Sequence, residues 1–164
     1  MSFTTICMQS NAFKVEHPSD IRVAFNLMGF DTVYDKKDNT ITLCGDEETD
    51  FNLDYAELVI LKEKHVNVGT EDETKILGFV GEYNSTTEDE LLEQYSEKGF
   101  AFTKQDVEVI DIVQYIQREL LQDEELKIMT SGFDSSIRGN RNPFGYLEVI
   151  SKDSHNFKSL HDLL

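Results

Sequence analysis

The chain has 164 residues and a formal net charge of −17, from 32 acidic side chains against 15 lysines and arginines. A charge of that sign and size repels nucleic acid and anionic membrane and favours basic partners. Cys7 and Cys44 are too few and too far apart for a secreted disulfide scaffold, and the start of the chain lacks a signal-peptide pattern. The longest aliphatic run, from Leu58 to Leu61, is far too short to span a bilayer, so the expected location is the cytoplasm.

Residues 3–8 and 12–15 read as extended, and the two cysteines, in apolar strand-like surroundings, as buried reduced thiols. Pro18 and Ser19 open a helix with Ile21, Ala24, Phe25 and Met28 on one face, and Gly29 closes it in the left-handed conformation. Residues 31–34 and 40–44 alternate around the polar turn at 36–39, which predicts a hairpin and a β-α-β-β opening unit. An acidic loop follows over 45–54, then strands at 57–62 and 75–80 joined by a polar stretch near 69–74. Thr87 and Glu90 have the spacing of a capping box, starting a helix that runs through Leu91, Leu92 and Tyr95 to Gly99. Residues 100–102 suggest a short strand. Val109, Ile112, Val113, Ile116 and Leu120 form an apolar stripe that predicts one long helix over 105–122. Residues 126–129 and 146–150 read as a hairpin with a long polar loop containing Arg138 and Arg141. An amphipathic tail with Phe157, Leu160, Leu163 and Leu164 is expected to cap the core. The fold class is therefore α+β: hairpin-built sheets and three main helices in one domain over 1–164, divisible into 1–45, 46–104 and 105–164.

The charge is unevenly placed. Residues 46–125 hold 23 acids against six bases, which equals the whole net charge, while the two flanking segments cancel. Asp89, Glu93 and Glu97 recur every four residues on the predicted outer face of their helix, and like charges so spaced repel by roughly 0.2–0.5 kcal/mol per pair. Glu71, Asp72 and Glu73, with Asp123, Glu124 and Glu125, repeat the sign with few lysines between, whereas a surface shaped for solubility mixes signs. These nine residues are the expected partner-binding set, because a row of carboxylates approximates a line of phosphates. An ordinary solvated helix face is the alternative reading of the same residues.

No catalytic centre is legible. His17, His65, His155 and His161 lack zinc-ligand spacing, and there is no nucleophile elbow, phosphate-cradling glycine loop or identifiable acid–base pair. Residues 46–57 resemble a calcium loop in several oxygen positions, but Phe51 stands where a glycine turn is needed and a strand precedes the segment, so a solvated loop is expected. The chain is read as a non-enzyme with no cofactor and no metal, whose partner is a basic nucleic-acid-binding protein such as a nuclease.

Arg141, Gly145 and Tyr146, followed by Leu147, Glu148, Val149 and Ile150, resemble the closing strand of small acidic proteins of phages and other mobile elements. The resemblance covers about 40 residues, less than the length of a typical domain. It implies a mobile-element origin, a setting in which nucleic-acid mimics disarm restriction or CRISPR nucleases. The resulting expectation is an inhibitor of such a defence protein. The alternatives are an immunity- or antitoxin-like inhibitor of one basic protein, or a metal-dependent or unfamiliar enzyme.

Overall fold

The computed structural model describes residues 4–46, 55–62, 75–81, 86–137 and 140–159. The chain order is β1 (Thr4–Ser10), α1 (Pro18–Leu27), β2 (Asp31–Asp35), β3 (Thr40–Asp46), β4 (Glu57–Leu61) and β5 (Ile76–Val80), then α2 (Glu88–Glu97), β6 (Val107–Asp111), α3 (Ile112–Glu119), β7 (Leu126–Ile137), β8 (Asn140–Ile150) and β9 (His155–Ser159). Local chemistry sets the boundaries. Pro18 occupies the first turn of α1, where its missing amide costs nothing, and Gly29 follows the helix at φ 91°. Asn39 takes φ 56° in the β2–β3 turn, a conformation asparagine tolerates, and Gly99 closes α2 at φ 95°.

The strands form two antiparallel sheets, six-stranded in the order β2-β3-β1-β7-β8-β9 and three-stranded in the order β5-β4-β6. Helix α1 packs on β5 from one sheet and on β2 and β3 from the other, and α3 likewise packs on β4, β6 and β8. Both helices thus lie between the sheets. Ile21 and Phe25 of α1, Ile112 and Ile116 of α3, Leu58 of the small sheet and Ile128 of the large one join in a single buried core. Each such side chain contributes roughly 1.5–3 kcal/mol by leaving water.

The small sheet is buried on both faces. Its second face carries Val59, Leu61, Leu77 and Val107 and is covered by Leu91 of α2. A register shift in the β4–β5 ladder places Val59 opposite Gly78 and Ile60 opposite Ile76, leaving Leu77 as the extra residue of a bulge. The bulge turns both Leu77 and Gly78 towards α2, and the bare Gly78 lets Leu91 sit directly on the sheet. The outer face of the large sheet is open instead, with Val33, Met129 and both cysteines exposed. The α+β class and the hairpins β2–β3 and β7–β8 follow the sequence reading.

Five expectations are corrected. The single helix over 105–122 is β6 followed by the eight-residue α3, because β-branched Val107, Val109 and Ile110 favour a pleated surface and Asp111 caps a new helix. Residues 100–102 form no strand, since Phe100 and Phe102 stack at 5.8 Å and flank Tyr95. The loop expected after residue 129 is largely ladder, with β7 reaching Ile137 and β8 starting at Asn140. Phe157 lies exposed on strand β9, where it stacks on Tyr146 at 5.2 Å, so it does not cap the core; Leu160, Leu163 and Leu164 fall outside the described residues. Cys7 and Cys44 are exposed thiols, because their strand positions face away from the helices.

Candidate functional site

The acidic face of α2 is set by its apolar side. Leu91 is the buried residue of the helix, with Leu92 and Tyr95 partly buried beside it. That rotation exposes Asp89, Glu90, Glu93 and Glu97. The Thr87 hydroxyl accepts the Glu90 amide at 3.2 Å, the N-cap half of a capping box. Glu88, Asp89 and Glu90 occupy the first turn, where the helix dipole favours negative charge. Asp89 pairs with Lys104 at 3.0 Å, and this carboxylate holds the Lys104 ammonium above its usual range. Glu93 and Glu97 have no ion-pair partner among the described residues, so the three predicted positions share one helix face with one neutralised end.

Asp123, Glu124 and Glu125 do not join them. Asp123 turns the chain at φ 68° between α3 and β7. Glu124 accepts the Lys14 amide at 3.1 Å through its carboxylate, and Glu125 lies 3.7 Å from the Lys127 ammonium. This turn is tied to the large sheet, whereas α2 sits on the far side of the small one. Glu71, Asp72 and Glu73 lie outside the described residues, as does most of the calcium-like segment, which β3 precedes and whose last residue, Glu57, begins β4.

Sequence reasoning missed a polar cleft of about 290 Å³ between α1, α3 and the adjoining ends of β4 and β5. Its lining includes Glu16, His17, Asp20, Tyr115, Arg118 and Glu119. Asp20 is 6% exposed, Glu119 8% and Tyr115 3%. His17, at the head of α1, donates its backbone amide to Glu119 Oε2 at 3.2 Å and sets Nδ1 3.0 Å from the same oxygen. Asp20 Oδ1 accepts the Lys75 amide at 3.3 Å, joining α1 to the start of β5. The Arg118 guanidinium forks onto both oxygens of Glu108 at 2.9 and 3.1 Å. That hydrogen bond lowers the Glu108 carboxyl below its usual range and raises Arg118. Burial, then the charges of Glu119 and Asp20, push the Tyr115 hydroxyl far above the usual phenol range, so it stays protonated. The local signals were Tyr115 and Glu119 at i, i+4 and His17 and Asp20 at i, i+3; Asp20 and Glu119 are about 100 positions apart, a distance no motif bridges.

Among the described residues, no helix is long and apolar enough to cross a membrane, and no three His, Cys, Asp or Glu side chains are grouped so as to hold a metal ion. The chain matches no protein-family model, no curated protein and no solved structure.

Proposed function

We propose that this chain is a non-enzymatic acidic binding protein that inhibits a nucleic-acid-handling defence protein, a restriction or CRISPR nuclease, by occupying its basic groove. The observation that carries the reading is the exposed carboxylate face of α2, an outermost helix on which Asp89, Glu93 and Glu97 follow one another a turn apart. Concentration of the whole net charge in residues 46–125 supports it. A field of that kind steers a basic partner into contact and makes the complex sensitive to salt. The resemblance of the last strands to acidic mobile-element proteins supports the same setting.

The test is capture from bacterial lysate on the immobilised protein, with elution by salt steps and by added DNA, followed by a nuclease assay with the recovered partner. A nuclease released by both salt and DNA is the expected result. Replacing Asp89, Glu93 and Glu97 by Asn, Gln and Gln should weaken inhibition by roughly tenfold or more while leaving the fold intact. Equal inhibition by the triple variant would remove α2 as the contact. Recovery of one basic partner indifferent to DNA would favour an immunity-like inhibitor over a mimic.

A further inference from the structure

The cleft between the sheets holds hydrogen-bonding capacity that the chain itself leaves unused. Asp20 spends one oxygen on the Lys75 amide, and Glu119 spends one on His17. The second oxygen of each carboxylate accepts no hydrogen bond from another described residue. No buried side-chain polar atom among those residues lacks a partner, so these oxygens reach the open space of the cleft, although Asp20 is only 6% and Glu119 8% exposed. The Tyr115 hydroxyl, on a residue 3% exposed that lines the same cleft, likewise has no hydrogen-bond partner among the described residues. Polar groups on largely buried residues that meet in one cleft are the arrangement by which a pocket fixes the orientation of a ligand.

The sign of that ligand follows from which charges are already engaged. Arg118 gives its fork to Glu108, so it is not available to an anion. Lys62, which is exposed, and Lys75, which is half-buried, also line the cleft, but the four carboxylates of Glu16, Asp20, Glu108 and Glu119 outnumber the three fixed cations Lys62, Lys75 and Arg118. Hydrogen-bond acceptors that carry negative charge favour a donor that carries positive charge. A planar guanidinium has donors enough to reach two carboxylates and a phenol oxygen at once. We infer that the cleft binds the guanidinium head of a small organic cation, which donates to the free oxygens of Asp20 and Glu119 and to Tyr115. The head could arrive on a free small molecule or on an arginine side chain of a partner. This site is independent of the α2 face, and either can fail without the other.

The experiment is an amide-resolved NMR titration of the full chain with n-butylguanidinium, with n-butylurea as the neutral isostere. The reporters are the amides of His17 and Lys75, which donate to the two carboxylates. Butylguanidinium should shift both, and butylurea should bind at least about tenfold more weakly, the difference expected of charge-assisted hydrogen bonds. Asp20→Asn should cost a similar factor, and Tyr115→Phe, which keeps the ring, about twofold to fivefold. Acetyl-arginine amide and agmatine form the second arm. Binding of both supports a partner side chain as the source, and binding of agmatine alone supports a free small molecule. No shift at either reporter by about 20 mM ligand, or equal affinity for butylurea, overturns the inference. Should Asp20→Asn fail to fold, the butylurea comparison and Tyr115→Phe decide it.

Discussion

Alanine at Gly78 is the sharpest test of how α2 is seated. An ideal Cβ there would stand 2.7 and 2.8 Å from the two terminal carbons of Leu91, well inside contact distance. The Gly78 backbone is not in the left-handed region, so alanine meets no backbone strain. It should even gain about 0.4–1 kcal/mol by restricting the unfolded chain. Against that gain stands overpacking of a buried leucine, typically about 1–3 kcal/mol. The steric cost is larger, and the expected net effect of Gly78→Ala is a loss of roughly 1–2 kcal/mol. Leu91→Ala alone should cost about 2–4 kcal/mol by leaving a cavity over the sheet. In the double variant the new methyl enters the vacated space, so the two losses should fall short of additivity by about 1–2 kcal/mol. Urea unfolding followed by circular dichroism measures all four corners of this cycle. Strict additivity, or a Gly78→Ala variant as stable as the parent, would refute the seating of Leu91 against bare backbone.

Three further outcomes follow from other contacts. Asp111→Ala should cost about 0.5–2 kcal/mol in the same unfolding assay, because the carboxylate accepts the Val113 and Gln114 amides at 2.9 and 3.2 Å at the start of a short helix. Ile112→Ala, at a fully buried position, should cost about 2–5 kcal/mol, whereas Phe157→Ala, at an exposed one, should cost well under half as much. The Glu108 carboxyl, followed by NMR, should titrate below the ordinary 4.5 that applies when the chain is unfolded. Its small contribution to stability is therefore present above that value and lost as pH falls through the depressed folded value. Arg118→Met should return the titration towards 4.5.

Local signals carried much of the fold and little of the cleft. The hairpin β2–β3, the proline start of α1 and the Thr87 cap of α2 are decided by residues within a few positions of one another, so they were legible. The stripe from Val109 to Leu120 misled because an apolar strand running straight into a helix mimics helical spacing across the junction. Asp111 was the clue, a capping residue in the middle of the stripe. The face shared by Asp89, Glu93 and Glu97 was readable from their four-residue period. That Asp123, Glu124 and Glu125 belong to a different layer was not, because layer membership depends on pairing between distant strands. The cleft depends on the same distant pairing: Glu16 meets the Glu119 carbonyl at 2.8 Å across 103 positions of chain.

Strand β1 sits inside the large sheet, with β3 on one side and β7 on the other, and Thr4 is paired with Asp134. Closing so long a loop costs about 3 kcal/mol more entropy than closing the four-residue turn between β2 and β3. During synthesis β1 must therefore wait for β7, and until then β3 and the helices have only part of their sheet. Folding of this chain should be slow for its size and complete late, and the half-built sheet is the state in which chaperones have most to protect.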